Sequence, residues 1–157
     1  MPFSSKAAYF LALGWLTARE LSEGQVRERL ARRGYTNRAI DPAIERLMQD
    51  HTLDDRRAAT GVARTEATVR RRGPRRIMGR LVAMQIDRDL AKEVVQELFG
   101  DSGETELLEQ ALDKRLRGNT ARLGDPRERR TLVAFLVRQG FSASAASALI
   151  RKRSREK

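Results

Sequence analysis

An apolar pattern that recurs three times constrains this chain more than any single motif. With Leu30, Leu81 and Leu136 as anchors, Val26, Ile77 and Leu132 stand four residues earlier, and Tyr35, Ile86 and Phe141 five residues later. Eight and nine residues past that last position come Ala43-Ile44, Val94-Val95 and Leu149-Ile150. The anchors are 51 and 55 residues apart. A template repeated at such spacing is the signature of stacked supersecondary units, each unable to bury its apolar face alone. Within a unit, the four-residue step from Val26 to Leu30 sets two apolar side chains on one helix face.

Local signals divide each unit into short helices. Ser22 followed three residues later by Gln25 forms a capping box, and Gly34 supplies the positive φ that ends that helix. Asp41-Pro42 lies early in the next helix, with Ile40, Ile44 and Leu47 on one side. Asp125-Pro126-Arg127-Glu128 reads as an N-cap, a first-position proline and a capping-box glutamate, and Gly140 closes that helix before Phe141. Gly73-Pro74 opens the middle pair, so Arg70, Arg71 and Arg72 end one helix while Arg75, Arg76 and Arg80 belong to the next.

A further helix precedes each pair. Ala7 to Arg19 carries Phe10, Leu13 and Leu16 as an apolar stripe; Arg57 to Arg72 carries Ala58, Val62 and Val69; Glu106 to Arg117 carries Leu108, Ala111, Leu112 and Leu116. The predicted fold is all-α, an elongated tandem array of three three-helix repeats at residues 1–53, 54–102 and 103–157. The joints fall at Leu53-Asp54-Asp55 and at Gly100-Asp101-Ser102-Gly103.

Little here suits catalysis. One histidine and no cysteine leave no ordinary nucleophile–base pair, no thiolate metal site and no disulfide. His51 reads as structural, and Asp54 and Asp55 as helix caps. No Gly-rich phosphate loop occurs, and at Gly73-Pro74 the proline removes a backbone donor such a loop would need. The chain is expected to be no enzyme and to need no cofactor or metal. The apolar run AAYFLALGWL spans ten residues, too few to cross a bilayer, and reads as a core helix of a cytoplasmic protein.

Charge points to a polyanion. Against 32 Lys+Arg stand 21 Asp+Glu, a net charge of +11. Residues 56–80 hold nine basic side chains and one acidic, residues 81–113 two and nine, and residues 114–157 thirteen and three. A merely soluble surface intersperses its signs, because blocks of one sign repel themselves. Two clusters are candidates for nucleic-acid phosphate or an acidic protein surface: Arg70, Arg71, Arg72, Arg75, Arg76 and Arg80, then Arg127, Arg129, Arg130, Arg151, Lys152 and Arg153. None of Arg71, Arg72, Arg75 and Arg76 lies on the apolar template, so folding is expected to survive their loss. Trp15, Tyr35 and Phe141 suit core packing better than base stacking, which makes the expected DNA affinity electrostatic and sequence-tolerant.

The residues in order resemble a known family. ALGWLTARELSEGQVRERLARRGY from Ala12, HTLDDRRAA from His51, RRRGPRRIMGRL from Arg70 and the closing Gly140-Phe141 are together similar to the RecX family of bacterial recombinase regulators. The likeness spans residues 7–153. It departs at Arg80, where the family usually has an acidic residue, and at Met84-Gln85, where it usually has Lys-Gly. The resemblance implies three helical units lying along the groove of the RecA filament on single-stranded DNA. It also implies inhibition of strand exchange, ATP hydrolysis and co-protease activity, hence modulation of recombinational repair and the SOS response.

A second reading remains open. Helix pairs of this kind can act as free-standing helix-turn-helix readers of duplex DNA, which commonly dimerise over paired half-sites. The exposed residues differ between the three units and no dimer zipper is evident, so a monomer binding without sequence preference is the first expectation.

Overall fold

A computed structural model of the chain describes residues 3–156, and among them there is no strand. The helices are α1 (Ser5–Ala18), α2 (Glu23–Arg32), α3 (Asn37–Gln49), α4 (Asp55–Thr68), α5 (Pro74–Ala83), α6 (Arg88–Phe99), α7 (Gly103–Leu116), α8 (Pro126–Arg138) and α9 (Ala143–Arg155), with a 3-10 turn at Thr120–Gly124 before α8. Helices α1, α2 and α3 pack on one another, as do α7, α8 and α9. All six template leucine, isoleucine and valine positions of α2, α5 and α8, from Val26 to Leu136, are fully buried.

The template has a physical origin in how these three helices end. The N–H groups of Tyr35, Ile86 and Phe141 donate to the carbonyls of Leu30, Leu81 and Leu136 at 3.1, 3.1 and 3.2 Å. The residue just before each donor takes positive φ: Gly34 at 92°, Gln85 at 61° and Gly140 at 105°. This is a Schellman closure, whose two ends want an apolar contact. The anchor and the residue five positions on are those ends. Gln85 holds the left-handed turn although glycine is less strained there.

Two compact units result. One comprises Met1–Gly61 and Leu81–Ala91, the other Val62–Arg80 and Lys92–Lys157. In the first, Ala8, Ala12, Leu21, Val26, Leu30, Ile44 and Leu47 form the centre of one core, with Trp15 and Tyr35 partly buried against it. The Ser22–Gln25 capping box is present. Ser22 Oγ also donates to the Met84 carbonyl at 2.5 Å. A side-chain carbon at Gly24 would sit 2.7 Å from Gln85 Cβ, so the start of α2 rests directly on the turn that ends α5.

The second unit makes the same joint one repeat later. Gly73, at the template position of Ser22, donates its N–H to Gln139 O at 2.7 Å, and Arg75 N–H reaches Gly140 O at 3.1 Å. A side-chain carbon at Gly73 would lie 2.6 Å from the Gly140 carbonyl carbon, and one at Gly140 would lie 2.5 Å from Arg76 Cβ. Glycine at both places lets main chain touch main chain. The α7, α8 and α9 core is filled by Leu108, Leu112, Leu132, Leu136, Phe141 and Ile150.

Several expectations need correction. The buried face of α1 is Ala8, Tyr9 and Ala12, while Phe10 is 53% exposed. On α4 the buried face is Ala58, Ala59, Ala63, Glu66 and Ala67, and Val69 is exposed. Leu13 and Leu16 of the expected α1 stripe pack partly buried against the core and Ala58 of the α4 stripe is buried, while Phe10 and Val69 fall outside it because alanines occupy most of the deepest positions. Helix α4 stops at Thr68, not at Arg72, because Arg71 takes φ 53° and the Arg72 N–H turns back to Glu66 O at 3.0 Å. Asp125 caps α8 as expected, but Glu128 accepts from Arg122 Nε at 2.7 Å and closes no capping box.

Candidate polyanion-binding surface

The first arginine run is drawn inward by a carboxylate. Glu66 on α4 is 4% exposed. A buried charge needs a partner in the low-dielectric interior, and here it has two. Arg72 Nη1 pairs with Glu66 Oε2, and Arg70 Nη1 approaches Oε1 at 3.0 Å. Arg71 Nη1 donates to the Thr68 carbonyl at the end of α4. Arg76 Nη1 donates to the Arg138 carbonyl in the last turn of α8 at 3.0 Å. Both carbonyls belong to the set that a helix leaves without internal donors. Arg72 is thus part of the fold, against the expectation that folding would survive its loss. Arg75 and Arg80 are exposed, with no ion-pair partner among the described residues.

The second cluster divides differently. Arg129 Nη1 donates to Leu123 O at 2.9 Å and Gly124 O at 3.2 Å, tying the 3-10 turn to α8. Arg153 pairs with Asp113 of α7. Arg127, Arg130, Arg151 and Lys152 are exposed and have no carboxylate partner among the described residues. Arg130 and Arg151 both line a shallow groove between α8 and α9, together with Val133 and Ile150.

A third group was not singled out from sequence. Lys114, Arg115 and Arg117, at the end of α7, join Arg70 and Arg71 around a cleft of about 240 Å³. The Arg115 guanidinium lies 4.6 Å from the centre of the Phe135 ring, within cation–π range. Cations in the last turn of a helix are routinely matched to its dipole, which hid this group; nothing in the chain marks that Arg70 and Arg71 fold back beside it.

The other chemistry-bearing residues serve structure. His51 ends α3 in the left-handed region at φ 58°. Asp54 Oδ1 accepts from Arg57 N–H at 3.0 Å, and Asp55 Oδ1 accepts from Glu23 N–H at 2.8 Å, so the two aspartates cap α4 and α2. Burial pushes the Asp55 carboxyl above its ordinary value, opposed by the Glu23 N–H. Hydrogen bonds from Thr52 and Tyr9 hold Asp50 below its ordinary value. Among the described residues there is no cluster of metal-ligating side chains and no helix long and apolar enough to cross a membrane. Phe141 is fully buried, as a core residue should be.

Known proteins place this architecture. A family model described as RecX, first three-helix domain, matches residues 8–47. The regulatory protein RecX of Syntrophotalea carbinolica is 31% identical over 138 residues, covering 87% of this chain and 90% of that protein. The chain belongs to the RecX family. Another RecX relative, from Halorhodospira halophila, is 33% identical over 146 residues, covering 92% of this chain and 87% of its own. The crystal structure of RecX from Lactobacillus salivarius superposes with a TM-score of 0.82 over 95% of this chain and 96% of that one. At 20% identity that likeness bears on the fold. These RecX relatives are named regulatory proteins.

Proposed function

We propose that this chain is a non-catalytic regulator that binds RecA and its single-stranded DNA filament, and that it inhibits recombinase, ATPase and co-protease activities in recombinational repair and the SOS response. It acts as a cytoplasmic monomer without a cofactor, through three helical repeats at 1–53, 54–102 and 103–157. The observation that carries the reading is the set of cations the fold leaves unused. Arg75, Arg80, Arg127, Arg130, Arg151 and Lys152 face solvent without a carboxylate partner among the described residues. Unneutralised surface charge of one sign raises the local concentration of an oppositely charged partner. Contacts of this kind go to phosphate, so they position the protein without reading sequence. The remaining members of the two clusters, Arg70, Arg71, Arg72, Arg76, Arg129 and Arg153, shape the backbone from which that surface projects.

The test is RecA-dependent ATP hydrolysis on single-stranded DNA, with the purified protein added from substoichiometric to equimolar amounts. Hydrolysis should slow across that range. An unchanged rate, with DNA binding by RecA verified in the same tube, would sink the reading.

A further inference from the structure

The cleft at the end of α7 carries a charge imbalance that the fold does not explain. Five cationic side chains line it, Arg70, Arg71, Lys114, Arg115 and Arg117, and no carboxylate does. Arg70 is paired with Glu66 and Arg71 is turned to the Thr68 carbonyl. Lys114, Arg115 and Arg117 have no ion-pair partner among the described residues. Like charges gathered in a concave site repel unless an anion joins them.

Backbone strain points the same way. Arg71 at φ 53° and Arg117 at φ 50° both occupy the left-handed region, where a residue with a side chain is less stable than glycine by about 1 kcal/mol. Matching of cations to the helix dipole accounts for Lys114 or Arg115, but not for an arginine placed twice at a turn position suited to glycine. His51 and Gln85 take the same conformation at the ends of α3 and α5, so the turn is a common way for these helices to end; what sets this place apart is that both turn residues are arginines on one cleft. Arg115 is held against Phe135, so its charge is already oriented and little side-chain freedom remains to be lost on binding.

We infer that this cleft seats one phosphodiester group of a single-stranded nucleic acid, gripped by Lys114, Arg115 and Arg117. At about 240 Å³ it falls below the roughly 300 Å³ at which pockets begin to enclose a drug-sized ligand, so one phosphate enters and the strand continues outside. The assignment rests on the nucleic-acid binding proposed above and adds a defined seat to it.

The test uses the full chain, a labelled single-stranded oligothymidylate and a salt titration. Arg117→Gly removes a charge while relieving the strained turn, so its melting temperature should hold or rise; Lys114→Ala is added in a second variant. Affinity should fall several-fold, and the slope of log affinity against log salt should shrink by about 0.7, the share of one phosphate that the cleft no longer neutralises. Unchanged affinity and slope in both variants, with the parent protein binding normally, would overturn the seat and leave the regulator reading standing. Loss of binding in the variants, alongside a parent protein that leaves RecA hydrolysis untouched, would support the seat and remove the regulator. Inorganic phosphate and ATP form the second arm. If either saturates the amide shifts of residues 114–117 at concentrations that leave the oligonucleotide unbound, the ligand is a small phosphate and the polymer assignment falls.

Discussion

Among the described residues, oxygens of the protein itself hold four of the six guanidiniums between Arg70 and Arg80, but of the six cations chosen between Arg127 and Arg153 they hold Arg129 and Arg153 alone. The two stretches look alike as sequence. They differ in what lies beside them: a buried carboxylate at Glu66 and helix ends at Thr68 and Arg138 on one side, and mostly open helix faces on the other. Density of arginine therefore does not count the charges available to a partner. The count depends on how many nearby acceptors lack another donor, whether buried like the Glu66 carboxylate or at a helix end like the Thr68 and Arg138 carbonyls.

The sharpest way to break this comparison is to remove the clamp. Arg70→Ala with Arg72→Ala leaves Glu66 buried without a cation and should destabilise by about 3 to 5 kcal/mol, measured by urea unfolding. Adding Glu66→Leu to that pair should recover most of the loss. If the double variant unfolds like the parent, the first cluster is a surface patch after all. Next in size is Gly140→Ala, which meets Arg76 and strains a left-handed turn, and should cost roughly 2 to 4 kcal/mol.

The free cations should behave in the opposite sense. Arg75→Ala with Arg80→Ala, or Arg130→Ala with Arg151→Ala, should change stability by no more than about 0.5 kcal/mol. Binding to single-stranded DNA should nevertheless weaken and become less salt-dependent in each pair. Equal thermal loss in clamp and free-cation variants would erase the distinction between held and free charges.

The smallest effect concerns a carboxylate answered by backbone instead of arginine. Asp55 is held above its ordinary value by burial, so its contribution to stability is complete below the ordinary carboxylate value near about 4 and is lost as pH rises through the raised one. Asp50 is held low by Thr52 and Tyr9 and has the reverse sign, contributing above that value and failing as pH falls. Unfolding at pH 4 and pH 7 should show Asp55→Asn gaining on the parent toward neutrality and Asp50→Asn losing.

The fold was legible where local chemistry and burial coincide. The Schellman closures demand apolar residues at both ends, so Leu30 with Tyr35, Leu81 with Ile86 and Leu136 with Phe141 could be read from spacing. The inward faces of α1 and α4 were legible only in part, through Leu13, Leu16 and Ala58, because alanines such as Ala8, Ala12, Ala59 and Ala63 carry too little contrast with their surroundings to mark a side. The left-handed turn at Gln85 was marked only by its place, since Gln85 precedes Ile86 where Gly34 precedes Tyr35 and Gly140 precedes Phe141. Of the candidate surface, the residue types were legible and their destinations were not. A guanidinium reaches far enough that Arg72 is drawn onto the buried Glu66 while Arg75, three residues on, faces solvent.

The joints made by Gly73 on Gly140 and by Ser22 on Met84 use neutral amide and hydroxyl groups. Counter-ions, which screen charged surfaces over about 10 Å at 0.1 M, have nothing there to act upon. A rise in ionic strength should release an anionic partner while the turns stay seated, so grip and shape answer to separate controls.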